Sequence, residues 1–500
     1  MDYEYKRLRA YADEIGRRIV RRRAGVPVAG RPCGYGADER RTPDSAFPPL
    51  PEGGAWGGKR DSHWWFRAHF RVPEEFQGDL WLEFADAKEG FDACNPQFTA
   101  YLDKVPVQGL DVNHTRLKLG GMREGVLDIY AYTGSEIDEI LHISCSVIET
   151  DPAAEALFYD MDVPLGAMEY LPENTEEYRA LRAALSESVA LLDLRSEECA
   201  ARTMSLCSKY LRENLYGERE ERAAVCCVGH THIDLAWLWP LRQTPEKAER
   251  SFLTALELMR EDPAYTFLCS QPQLYEWFEE RCPEAFAELK ERVAEGRWLA
   301  EGGTWIEPDC NLISGESLVR QFWYGSLYFR EKFGTESRIL WLPDTFGFPA
   351  NLPQIAKKCG MKFFVTSKLS WNERDRMPHD LFYFRGIDGS EIAAYFLTAQ
   401  DRIRNADPVN YTTYNASTDA KQIAGTYARF ADTDLADEVL LTYGFGDGGG
   451  GPTRNNLQQL SRLRRGMPGC PRVLCGAPGG FFERLEKKIE KLTLPVWRGE

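Results

Sequence analysis

Beyond residue 220 the chain repeats one pattern: a short apolar run, a turn signal, then usually a helix-like segment. The runs are Ala224 to Gly229, Tyr265 to Cys269, Trp298 to Glu301, Ile339 to Leu342, Lys362 to Thr366, Glu391 to Phe396, Val439 to Tyr443 and Val473 to Gly476. Strands covered on both faces lose the polar alternation of half-exposed strands, so this pattern predicts a parallel α/β sheet or barrel. One following helix is well marked, with Ser314 as N-cap, Leu318, Phe322 and Trp323 at helical spacing, and Gly334 as the stop.

Upstream, the organisation differs. Residues 1 to about 25 read as a charged helix, and 26 to 58 as an arm too punctuated for regular structure (Gly30, Pro32, Gly34, Gly36, Pro43, Pro48, Pro49, Pro51). From about 60 to 150, β-type runs (Trp64 to Val72, Leu80 to Phe84, Phe98 to Leu102, Val126 to Tyr132) alternate with turn clusters. Residues 174 to 216 carry neither Gly nor Pro and should be helical. The expected division is therefore an N-terminal helix and extended arm (1–58), an all-β sandwich-like accessory domain (59–160), a helical linker (161–220) and an α/β catalytic domain (221–500). Three domains suit a length of 500 at roughly 150 residues each.

A formal net charge of −16 opposes binding to nucleic acid, which needs a basic face. Basic side chains throughout the first thirty residues leave no apolar core for a secretion signal, and no apolar run is long enough to span a bilayer. Thirteen cysteines, several in apolar runs and none in a C-x-x-C pair, read as reduced and cytoplasmic.

In parallel α/β folds the chemistry gathers at the carboxyl ends of strands. After the first run come His232 and Asp234, at i and i+2 on one face of extended chain, as two ligands of one divalent ion require. From that pair alone, a strand-end histidine bonded to a capping aspartate is the stronger reading. Asp344 ends another apolar run, where desolvation calls for a nearby positive charge, although an aspartate N-cap has the same appearance. Asp447 stands among Gly444, Gly446 and Gly448 to Gly451, in a loop whose glycines allow close backbone approach. No Gly-Lys-Ser/Thr follows, so the loop is not a phosphate loop.

The segments Gly229-His-Thr-His-Ile-Asp-Leu-Ala-Trp-Leu-Trp-Pro240, Gly302-Gly-Thr-Trp-Ile-Glu-Pro-Asp-Cys-Asn311, Ser314 to Gln321, Trp341-Leu-Pro-Asp-Thr-Phe-Gly347 and Asp447 to Pro452 together resemble glycoside hydrolase family 38. They are most similar to its cytosolic and bacterial α-mannosidase branch, whose accessory domain Leu110-Asp-Val-Asn-His114 also fits. The resemblance implies a seven-stranded β/α barrel, bound Zn²⁺ or another divalent cation, and hydrolysis of α-mannoside oligosaccharides with retained configuration. His232, Asp234 and Asp344 match metal ligands, Asp344 the nucleophile and Asp447 the acid/base. Trp237 matches the ring stacked under the sugar, and Trp305 and Asp309 are expected to bind substrate. Lys368, Trp371 and Asn372, after the fifth run, read either as substrate contacts or as packing. The matching fourth ligand is a histidine beyond Val496 to Glu500, so the resemblance implies a chain without that ligand or the family's C-terminal domains, with metal binding and turnover weakened. None of the seven histidines replaces it: His379 sits in a polar turn, and His230 is expected to point away or support its neighbours. Another metal-assisted hydrolase, such as a polysaccharide deacetylase, and a non-catalytic mannose-binding fragment are the other readings; self-association is left open.

Overall fold

The computed structural model describes residues 3–35, 43–44, 46–51, 53–86, 96–218, 221–372, 374–400, 411–476 and 478–499; Gly36 and Glu500, named above, lie outside them. The apolar runs beyond 220 are strands: Ala224–His230, Phe267–Cys269, Trp298–Ala300, Ile339–Trp341, Phe363–Thr366, Glu391–Phe396, Glu438–Tyr443 and Arg472–Cys475. Their pairing is parallel. Ala224–His230 lies against Phe267–Cys269, Glu438–Tyr443 and Arg472–Cys475, and Phe267–Cys269 carries Trp298–Ala300 on its other side. A second sheet runs Ile339–Trp341, Phe363–Thr366, Glu391–Phe396. Every residue of Ala224–His230 is buried, which is why no polar alternation interrupts it.

The two sheets meet at a seam. Trp341 N donates to Gly302 O at 3.1 Å, and Oε1 of the buried Glu301 accepts from Arg338 N at 3.0 Å and Ile339 N at 3.3 Å. Opposite, the segment 411–416 joins Glu391–Phe396 to Glu438–Tyr443: Thr413 N donates to Ala399 O, and Ala416 bridges Tyr443 in parallel. The helix Gly315–Phe333 begins and ends at the expected residues, with the Ser314 hydroxyl accepting from Ser317 N and Gly334 at φ +68°. Not anticipated was the strand Leu381–Arg385, antiparallel to Glu391–Phe396 and itself paired with Val496–Arg498.

The N-terminal part contains two antiparallel five-stranded sheets. One orders Val20–Gly25, Ile140–Thr150, Asp79–Asp86 and Arg116–Lys118, with Ala55–Gly57 also on Ile140–Thr150; the other orders Val28–Cys33, His63–Arg71, Glu124–Tyr132, Gln97–Leu102 and Val105–Leu110. Phe66, Phe84, Phe98, Ile129 and Val147 pack one apolar core between them. Here the arm needs correcting. The charged helix is shorter than expected, Tyr3–Arg17, and Val20–Gly25 follows as an edge strand whose arginines face solvent. Val28–Cys33 lies within the stretch read as irregular; at a sheet edge Pro32 costs no ladder bond, so the punctuation does not preclude a strand.

Residues 152–214 form three helices, Pro152–Met168, Glu176–Ala190 and Glu197–Asn214, with Asp151, Thr175 and Ser196 as N-caps. The first of these begins before the expected linker. A further helix, Thr244–Glu261, lies flush against the N-terminal sheets: a Cβ on Gly109 would stand 2.7 Å from Arg250 Cβ, and Gly109 N donates to Thr254 Oγ1. Among the described residues no helix is long and apolar enough to cross a membrane.

Candidate active site

His232 and Asp234 follow directly on the strand Ala224–His230, and their side chains meet at its carboxyl end. His232 Nε2 lies 3.3 Å from Asp234 Oδ1 and 3.6 Å from Asp344 Oδ2. One donor atom each from His232, Asp234, Asp344 and Asp447 falls within 4.8 Å of the others. The opposite ring nitrogen, Nδ1, lies 2.8 Å from Glu307 Oε2. Glu307 Oε1 in turn accepts from the amides of Asp344 (2.5 Å) and Thr345 (2.6 Å), so a single carboxylate orients the imidazole and the backbone that carries Asp344.

Lys368 Nζ lies 2.7 Å from Asp344 Oδ1. On the other side, Asp447 Oδ1 accepts from Tyr414 Oη at 2.7 Å, and Asn415 Nδ2 reaches Oδ2 at 3.4 Å while Asn415 Oδ1 takes Gly446 N. Asp447 sits at φ +54°, a region that residues other than glycine seldom enter. Its loop is tied to the first strand: Thr231 Oγ1 donates to Phe445 O at 3.3 Å, and Gly448 N to His232 O at 3.5 Å. A Cβ on Gly229, at that strand's end, would stand 2.6 Å from Tyr265 and 2.8 Å from Thr266 O, which explains the glycine.

Electrostatically the cluster calls for a cation. Burial disfavours charge on His232, yet Glu307 and Asp234 hold its imidazole well above the ordinary range, so the surrounding carboxylates favour positive charge there. Burial pushes the Asp447 carboxyl up to about 6, with Asp344 raising it further against the pull of His232 and Tyr414. An imidazole nitrogen whose partner nitrogen is fixed by a carboxylate, beside carboxylate oxygens, is a donor set that fits a divalent ion of the zinc type. The residues present fit a metal.

A family model described as the glycosyl hydrolases family 38 N-terminal domain matches residues 222–500. The chain belongs to that family. It is 40% identical over 302 residues to alpha-mannosidase G of Dictyostelium discoideum, covering 60% of this chain and 26% of the relative. It is 33% identical over 462 residues to alpha-mannosidase 2C1 of Homo sapiens, covering 87% of this chain and 42% of the relative. The chain therefore spans less than half the length of these curated relatives. An alpha-mannosidase from Enterococcus faecalis V583, of known crystal structure, superposes with a TM-score of 0.44 at 19% identity, over 55% of this chain and 30% of that one.

The other residues singled out in this family 38 chain occupy distinct surroundings. Trp237 is 55% exposed, and its ring lies edge-on to Trp239 at 6.1 Å. Trp371 lies under the Lys368 ammonium, 3.5 Å from ring centroid to Nζ, and donates from Nε1 to Thr412 O. Trp305 donates to Gln273 and packs edge-on against Tyr328. Asp309 and Asn372 close turns on themselves: Asp309 Oδ1 accepts from Asn311 N and Leu312 N, and Asn372 Oδ1 from Arg374 N and Asp375 N. His379 pairs with Asp432. His230 accepts from Trp341 Nε1 and is kept neutral by burial, which pulls it down to about 3. Sequence reasoning gave no role to Glu307, Tyr414 or Asn415. Glu307 lay within a quoted motif and carried a signal, a carboxylate past a strand end; Tyr414 and Asn415 carried none.

Proposed function

We propose that this chain is the catalytic part of a metal-dependent, retaining α-mannosidase that removes terminal α-linked mannose from oligosaccharides. The observation that carries the proposal is the convergence of Asp344 and Asp447 beside His232 and Asp234. Retaining hydrolysis needs two carboxyl groups about 5 Å apart, and donor oxygens of the two aspartates lie within 4.8 Å. Asp344, oriented by Lys368 and by its amide bond to Glu307, attacks the anomeric carbon while the bond to the departing oxygen breaks; Asp447 delivers its proton to that oxygen. Asp447 then takes a proton from water as the water displaces Asp344. His232, Asp234 and Asp344 would hold the divalent cation, read as Zn²⁺, which when bound supplies positive charge for orienting sugar hydroxyls. Trp237 offers an apolar face to the ring, and Trp305, Asp309, Lys368 and Trp371 are read as substrate-binding.

The parallel strands are read as a seven-stranded barrel. The neighbour order beginning at residues 224, 267, 298, 339, 363, 391 and 438 supports closure, through the Gly302 seam and the segment 411–416. The division at 58, 160 and 220 is likewise proposed, with a β-sandwich in which 1–58 contributes strands. A cytoplasmic site of action is supported by the twelve described cysteines, no two of which are joined in a disulfide.

The test is hydrolysis of p-nitrophenyl α-D-mannoside, followed by NMR for the anomer first released and repeated after chelation. Retained α-configuration and loss of turnover on chelation are expected. Acetate release from acetylated glycans without mannose release would replace the proposal with a deacetylase, and mannose binding without turnover would replace it with a lectin-like role.

A further inference from the structure

Phe445 and Gly451 pair antiparallel and close a tight loop around Asp447, with Phe445 N donating to Gly451 O at 2.9 Å and Gly451 N to Phe445 O at 2.8 Å. Two side chains of the N-terminal part of the chain end on carbonyls of that stretch, one within the loop and one just after it. Gln97, first residue of its strand, donates from Nε2 to Gly448 O at 3.1 Å. Its Oε1 is held in turn by Lys247 Nζ at 3.0 Å and by Arg250 Nη2, both on the helix Thr244–Glu261. His114 approaches Pro452 O with Nε2 at 2.9 Å and Asp111 Oδ1 with Nδ1 at 2.9 Å.

The protonation of His114 follows from its partners. A peptide carbonyl can only accept, and Asp111 Oδ1 already accepts from Asn113 N at 2.7 Å and His114 N at 3.0 Å. Both imidazole nitrogens therefore carry hydrogen, and Asp111 and His114 form a buried carboxylate–imidazolium pair. Such a pair is weak evidence for net stability, because desolvation offsets the attraction. It does fix one geometry at the carbonyl on which it ends. The fit is close: a Cβ on Gly450 would stand 2.7 Å from Asp111 Oδ2 and 2.9 Å from His114 Nδ1, and one on Gly448 would stand 2.8 Å from Lys247 Nζ.

We propose that Asp111, His114 and Gln97 are positioning residues for Asp447, bracing from the N-terminal part of the chain the carbonyls of Gly448 and Pro452 that follow it so that its carboxyl stays turned toward Asp344. The inference rests on the reading of Asp447 as the acid/base. It gives the N-terminal part of the chain a role in proton delivery without contact with the reacting atoms.

The experiment uses the full chain with His114→Ala and with Gln97→Glu, the latter keeping an oxygen for Lys247 and Arg250 while deleting only the donor to Gly448. Amide hydrogen exchange is followed over 444–452 and, as reference, over the strand Glu438–Tyr443, and kcat is measured on aryl α-mannosides with poor and with activated leaving groups. Exchange in 444–452 should rise about tenfold with the reference strand unchanged. The kcat for the poor leaving group should fall roughly 10- to 100-fold while that for the activated one stays within about twofold. His114→Gln, which restores an N–H toward Pro452 O, should recover part of both. Unchanged exchange in both variants would overturn the bracing, and equal loss on both leaving groups would reduce it to a general structural role. A wild-type chain without mannosidase turnover would instead overturn the function proposed for the site, and exchange would still decide whether the loop is braced.

Discussion

The Lys368 ammonium lies between two partners of different kinds, 2.7 Å from the Asp344 carboxylate and 3.5 Å from the centroid of the Trp371 ring. The ring fixes the lysine from below, and the lysine fixes one oxygen of the proposed nucleophile. Lys368→Met should lower kcat by about 10- to 100-fold through loss of that orientation, with bound metal per chain unchanged. Turnover measured alongside elemental analysis checks it; parallel loss of metal would assign the lysine to the ion instead.

Asp344→Ala should reduce turnover by at least about 10³-fold on every substrate, because it removes the proposed nucleophile. Asp447→Asn should spare substrates with activated leaving groups. As an acid, Asp447 acts in its protonated form, and its carboxyl is pushed up to about 6, chiefly by burial. Wild-type kcat on a poor leaving group should therefore fall as pH rises through about 6, and the variant should lack that alkaline limb. A pH–rate profile on the two substrates tests both statements.

Glu307→Gln removes the negative charge facing His232 Nδ1 and the strong acceptor for the amides of Asp344 and Thr345. Carboxylates in this position typically contribute 10- to 100-fold to metal affinity, so Zn²⁺ should bind about 10- to 100-fold more weakly. Competition with a chelating dye measures the shift.

Glu301, at the seam between the parallel sheets, has its carboxyl pushed up to about 7 by burial, against the pull of the amides of Ile339, Arg338 and Gly302. A folded-state value above the unfolded one means that its contribution is complete below the ordinary glutamate range and is lost as pH rises through about 7. Glu301→Gln cannot ionise. The Tm advantage of wild type over Glu301→Gln should therefore shrink by a few degrees between pH 5 and pH 8, as read by calorimetry.

Trp237→Ala exposes little that is not already exposed, since the ring is 55% accessible. Tm should stay within about 1 °C of wild type while KM for mannosides rises several-fold. A fall in kcat with KM unchanged would count against a stacking role.

How much of this was legible beforehand varied with the kind of signal. Strands such as Glu391–Phe396 declared themselves because burial on both faces leaves an unbroken apolar run. Leu381–Arg385 is equally apolar but follows the polar turn Met377-Pro-His-Asp380, and nothing local distinguishes a hairpin partner there from a loop. Val20–Gly25 was obscured by its three successive arginines, which suit an edge strand as well as a helix. In the site, His232 and Asp234 were readable because two residues along an extended chain share a face, whereas from sequence Asp344 could equally have been a helix cap. Tyr414 reaches Asp447 from a segment without periodicity, so only three-dimensional structure discloses it.

The bond from Thr231 Oγ1 to Phe445 O joins positions 214 residues apart. A ribosome adding about 5 to 20 residues each second releases the first of these some tens of seconds before the second. Throughout that interval the nascent chain exposes His232 and Asp234 without the loop that will close over them. Assembly of this site is thus ordered in time, and Asp447 is the last of the four clustered side chains to leave the ribosome.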